Sequence, residues 1–136
     1  MEMEETQVNG KSRRILIVDD NELNNQYLRT LLTRHHFMVD VVSDGQGAID
    51  AIRLRRPDVV LLDVMMPGMS GLEVLKRLRA DASQQSIPVI LITARSHDDD
   101  ILNGYQEGAD YYLTKPFTTR QLLHGLGLVL GMRLVD

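Results

Sequence analysis

Asp19, Asp20 and Asp63 are carboxylates that directly follow short, branched apolar runs, Arg14–Val18 and Val59–Leu62. Thr93 ends a third such run, and Lys115 follows a weaker one at 110–113. Like charges at contact distance disfavour ionisation, so three carboxylates gathered in one cleft call for a cation. Oxygen-only ligation by few protein groups suits Mg²⁺, which keeps several waters. A metal there neutralises an incoming phosphoryl group and leaves one carboxylate free as a nucleophile. Lys115 supplies a compact positive charge for a phosphate oxygen, and Thr93 supplies a hydroxyl donor. The set is matched to phosphoryl transfer onto a carboxylate. Each residue alone has an ordinary reading: Asp19-Asp20 as a solvated capping turn, Thr93 as a strand-end threonine, Lys115 as a surface lysine. Their shared position at strand ends favours the chemical one.

The elements that must bring them together alternate in type. Residues 87–92, like Arg14–Val18 and Val59–Leu62, form a continuous apolar run suited to a strand buried on both faces, hence to a parallel sheet. Residues 37–42 and 110–113 complete a set of five strands, with Pro88, which lacks an amide donor, expected at a strand start. Helical segments carry their own punctuation. Ser70 with Glu73 and Thr118 with Gln121 fit the capping box. Ser96 is the expected N-cap before Asp98, Asp99 and Asp100, whose charge suits a positive helix end. Arg53, Arg55 and Arg56 crowd a helix end that Pro57 stops, and Gly108 closes the fourth helix. A βα unit repeated five times predicts a doubly wound α/β sheet with helices on both faces. In such a sheet the carboxyl ends of the strands share one edge, where ligands bind. Asp19 and Lys115, far apart in sequence, are therefore expected to meet.

Composition narrows the field. The 136 residues, 43% apolar, suffice for one compact core. A net charge of −4 argues against wholesale electrostatic binding to nucleic acid. The absence of cysteine excludes disulfides, thiolate metal sites and a cysteine nucleophile, and fits a reducing compartment. No apolar run approaches the roughly 20 residues of a membrane span, and no signal peptide opens the chain. The expectation is a soluble, cytoplasmic domain over residues 13–131. Residues 1–12 are read as a disordered leader, and 132–136 as a tail or the start of a linker.

Four segments, ILIVDDN at 15–21, LLDVMMPGMSG at 61–71, ITA at 92–94 and GADYYLTKPF at 108–117, together resemble the receiver domain of bacterial two-component response regulators. The resemblance implies a flavodoxin-like fold with strand order 2-1-3-4-5 and five helices, and a phosphorelay signalling role rather than an enzyme acting on external substrate. It implies that Asp63 accepts a phosphoryl group from a sensor histidine kinase or histidine phosphotransfer protein. Asp19, Asp20, Asp63 and the Met65 carbonyl would hold Mg²⁺, while Thr93 and Lys115 would bind phosphate oxygens. Ala94 would keep the approach clear, the Lys115-Pro116 bond would be cis, and Tyr112 would be the switch aromatic. The surface of the fourth helix, fifth strand and fifth helix would then meet a downstream protein or output domain, as a monomer or a phosphorylation-dependent dimer, with no direct contact to nucleic acid or membrane.

Departures and rivals sharpen this. Met65 and Arg95 occupy positions flanking the water path in this family, which bears on acyl-phosphate lifetime. Gly125 and Gly127 stand where winged-helix regulators carry arginines that pair across a dimer, and with Gly131 they weaken the last helix. A dehalogenase-class phosphatase needs a second aspartate where Met65 stands, and a flavodoxin-like cofactor binder needs a phosphate-cradling loop where Asp19, Asp20 and Glu22 would repel phosphate. The adjacent His35 and His36 point about 100° apart on a helix and make no metal pair, so they are read as favouring its negative end. Met65, Met66 and Met69 are read as loop packing.

Overall fold

The computed structural model describes residues 13–134. Within them β1 (Arg14–Val18), α1 (Glu22–Arg34), β2 (Met38–Val42), α2 (Gly45–Leu54), β3 (Val59–Leu62), α3 (Gly71–Ala80), β4 (Val89–Thr93), α4 (Asp98–Gln106), β5 (Tyr111–Thr114) and α5 (Thr119–Leu130) alternate along the chain. The strands form one parallel sheet in the order β2-β1-β3-β4-β5. That is the order implied by the receiver resemblance. The leader at 1–12 lies outside the described residues, as do the last two residues.

Strand periodicity sends alternate side chains to opposite faces. Leu16, Val18, Val60, Leu62, Val89 and Leu91 pack with Ala48, Ile49 and Ile52 of α2 and Val74, Leu75 and Leu78 of α3. Ile15, Ile17, Val59, Leu61, Ile90 and Ile92 pack with Leu28 and Leu32 of α1 and Leu122, Leu123 and Leu126 of α5. Double burial of β1, β3 and β4 explains why their sequences read as unbroken apolar runs. Met132 and Leu134, in the segment read as tail or linker start, pack against the second cluster. No helix among the described residues is long and apolar enough to cross a membrane.

Helix ends follow the sequence with three adjustments, and one strand start shifts as well. Thr118 and Gln121 form both halves of a capping box on α5. Ser70 makes only one, accepting from the Glu73 amide, because the Glu73 carboxylate turns to Arg77 one turn on. The N-cap of α4 is His97, not Ser96, and it makes no side-chain cap bond; three aspartates still fill the first turn. Gly131 is not inside α5 but ends it, at φ 67°, a left-handed conformation that glycine adopts without strain. Ile87 is fully buried yet precedes β4, since its amide bonds to Gln84 and its carbonyl accepts from Arg79. Pro88 accordingly sits just before the strand. His35 is the C-cap of α1. Met66 is buried and Met69 packs against the first cluster, while Met65 is half exposed.

Candidate functional site

Backbone register assembles the site. The Asp63 amide donates to the Val18 carbonyl at 2.9 Å, and the Asp19 amide to Val42 at 3.2 Å, so β1, β2 and β3 end level with one another. On the other side the Lys115 amide donates to the Thr93 carbonyl at 2.9 Å, tying the end of β5 to that of β4. Gly71, first residue of α3, lies so close to the Asp63 carbonyl that a Cβ there would collide with it. This contact requires glycine, and it seats the β3–α3 loop behind Asp63. The Lys115-Pro116 peptide is cis.

Ligand atoms of Asp19, Asp20 and Asp63 lie within 4.8 Å of one another. Lys115 Nζ donates to Asp19 Oδ2 at 2.9 Å and to Asp63 Oδ2 at 3.2 Å. The remaining oxygens are held by backbone: Asn21 N–H donates to Asp19 Oδ1 at 2.9 Å, and Met65 N–H to Asp63 Oδ1 at 3.0 Å. Asp19 and Asp63 are buried, whereas Asp20 is exposed. Burial pushes the Asp63 carboxyl above the ordinary carboxylate value; the Met65 amide and Lys115 oppose this and the Asp19 charge reinforces it. Burial works against the Lys115 charge too, but the Asp19 hydrogen bond and the charges of Asp63 and Asp19 outweigh it and hold the ammonium above its ordinary value. One ammonium thus serves two of three carboxylates. The excess negative charge and the all-oxygen donor set fit a hard divalent cation.

Thr93 is fully buried at the end of β4, and its Oγ1 accepts from the Arg95 amide at 3.3 Å. Tyr112 stands apart from the carboxylates. Its ring packs on the first core cluster and against Gly104 of α4, and its hydroxyl donates to the Arg95 carbonyl at 2.8 Å. Burial, then the Asp100 charge, raise its phenol above the ordinary value. The Arg95 residue therefore connects Thr93 to Tyr112 through its own N–H and C=O. Met65 touches the site through its amide; its side chain points to solvent. Two contributors escape a reading of the sequence by strand ends. Asn25, a buried polar residue in the apolar stripe of α1, donates from its side chain to the Asp19 carbonyl at 2.8 Å. Tyr105 accepts the Tyr112 backbone amide at 3.1 Å on its hydroxyl.

The model of the response regulator receiver domain matches residues 15–126. The chain belongs to this family. As a receiver domain it is similar to the DNA-binding response regulator MtrA of Mycobacterium leprae, 40% identical over 111 residues that cover 82% of this chain and 48% of that protein. It is also similar to the sensory transduction protein RegX3 of Mycolicibacterium smegmatis, 43% identical over 116 residues, or 85% and 50% of the two chains. The chain spans about half the length of these relatives. Among solved structures, the chemotaxis protein CheY4 of Vibrio cholerae superposes with a TM-score of 0.81 at 32% identity, covering 87% of this chain and 98% of that one. The Mn²⁺-bound form of response regulator Rcp1 superposes at 0.73 and 25% identity, over 88% and 90%. The fold and the signalling role expected of a receiver domain hold for this chain.

Proposed function

We propose that Asp63 is the phosphoacceptor of this receiver domain, with Asp19, Asp20, Asp63 and the Met65 carbonyl as the ligands of a Mg²⁺ ion. The observation that carries this reading is the convergence of three carboxylates and Lys115 at the carboxyl ends of β1, β3 and β5. The Mn²⁺-bound form of the similar Rcp1 supports the choice of a divalent ion. When bound, such an ion screens the negative charge of the acceptor from that of the incoming phosphoryl group. The chain's own residues do the rest. An Asp63 oxygen attacks phosphorus of a phosphohistidine on a sensor kinase or phosphotransfer protein. The P–N bond breaks, and its electron pair leaves with the imidazole, which takes up a proton. Lys115 turns from the carboxylates to the new phosphate oxygens, and the Thr93 hydroxyl donates to another; charge-assisted bonds of this kind are roughly twice as strong as neutral ones. The domain catalyses only its own phosphorylation and dephosphorylation.

The receiver unit is assigned to residues 13–131, with Met132 and Leu134 of the following segment packed on it, in the cytoplasm, and the surface of α4, β5 and α5 delivers the signal to a downstream protein or output domain. Asp63→Asn is expected to abolish the covalent adduct of about 80 Da, one phosphoryl group, formed with acetyl phosphate and Mg²⁺, as read by intact mass. The fold, followed by circular dichroism, is unchanged. An undiminished adduct on the variant would assign the acceptor elsewhere.

A further inference from the structure

Helix α1 turns Asn25, Leu28 and Leu32 inward, at the three- and four-residue spacing of an apolar stripe. Asn25 is the polar member, 8% exposed. The Asp19 carbonyl can only accept, so the NH₂ of Asn25 must face it, and the bond is short at 2.8 Å. That leaves Asn25 Oδ1 pointing elsewhere, buried and without a hydrogen-bond partner in the protein. Buried acceptors are nearly always paired; leucine would complete the apolar stripe without that unpaired oxygen, but would leave the Asp19 carbonyl without the Asn25 donor. Apolar packing therefore does not account for asparagine here. What the amide does is hold the carbonyl of the peptide that joins Asp19 to Asp20. That peptide sets the directions in which both carboxylates leave the backbone. Asp19 is already fixed at its two oxygens by Asn21 and Lys115, whereas Asp20 is exposed, so its direction rests on the peptide that precedes it.

We propose that Asn25 is a positioning residue for the divalent cation: it pins the Asp19–Asp20 peptide so that both carboxylates are preset as ligands, leaving its own Oδ1 unpaired. This rests on the reading of Asp19, Asp20 and Asp63 as the cation site. Groups that orient metal ligands typically change affinity by about 10–100-fold when removed. The test is Mg²⁺ titration by isothermal calorimetry of the full chain as wild type, Asn25→Leu, Asn25→Ala and Asp20→Ala, with thermal melts in chelator alongside. Asn25→Leu and Asn25→Ala both lose the bond to the Asp19 carbonyl and are both expected to bind Mg²⁺ about tenfold more weakly or worse; leucine restores apolar burial that alanine does not, so their metal-free Tm values differ while the loss of affinity is shared. A Mg²⁺ affinity within twofold of wild type in either folded variant overturns the assignment, whatever happens to its Tm, because a packing role would move Tm alone. If the wild type does not bind Mg²⁺, or Asp20→Ala binds it equally well, the cation reading itself fails and this inference falls with it. Retained binding in the Asn25 variants with loss in Asp20→Ala sinks the positioning role only.

Discussion

Lys115 neutralises two buried carboxylates with one charge, so its removal leaves both uncompensated. Lys115→Met is expected to destabilise the metal-free domain by about 2 kcal/mol, less than the roughly 3–5 kcal/mol for a fully buried pair because the ammonium is 22% exposed. Saturating Mg²⁺ should recover much of that loss, since the ion supplies the missing positive charge. Urea denaturation with and without Mg²⁺ measures both, and an equal cost in the two conditions would argue that Lys115 and the ion do not share the carboxylates. Asp20→Asn, which removes a repelling charge without breaking the Lys115 pairs, is expected to raise Tm in chelator. Asp19, Asp20, Asp63 and Lys115 were legible in the sequence because a charged residue straight after an apolar run must leave the sheet at its end. Asn25 was not, since a polar residue on an amphipathic helix reads as solvent-facing until the neighbouring strand end is known to sit beneath it.

At the level of elements, the end of β4 and the loop after it reach β5 through the Thr93–Arg95–Tyr112 chain of hydrogen bonds. Drawing the Thr93 hydroxyl toward a phosphoryl group changes the acceptor of the Arg95 amide, and with it the carbonyl on which the Tyr112 hydroxyl rests. Beryllofluoride with Mg²⁺, a mimic of the acyl phosphate, is expected to shift the Tyr112 ring resonances, and Thr93→Ala to suppress that shift while Asp63 remains modifiable. An equal response in both proteins would disconnect the two residues. Gly104 leaves the space the Tyr112 ring uses: a Cβ there would stand 2.8 Å from Tyr112 Cδ2. Gly104→Ala should therefore displace the ring and weaken its bond to Arg95. Its overpacking cost of roughly 1–3 kcal/mol is offset in part by about 1 kcal/mol of helix propensity, and NMR of the four tyrosines reports the displacement. Charge patterns located this helix better than caps did. Asp98, Asp99 and Asp100 mark its first turn, whereas Ser96 carries a capping residue type one position too early.

For the whole molecule, a ligand that binds only the assembled edge stabilises every strand that builds it. Mg²⁺ at about a hundredfold excess over its Kd is expected to add roughly 2.7 kcal/mol to the unfolding free energy, reversed by chelator; a melting curve indifferent to Mg²⁺ would remove the ion from the site. The strand order and the two-faced core were readable because buried parallel strands leave an unbroken apolar signature. Beside them, β2 and β5 gave fainter signals for a physical reason: they are the edges, half covered and mixed in composition. Edge strands carry a hazard of their own, since unpaired amides invite a strand from another molecule and begin fibrils. The Tyr105 hydroxyl already occupies the outward amide of Tyr112 on β5. A side chain of α4 thus stoppers one outward donor of that edge, leaving one fewer amide there for a strand of another molecule to pair with.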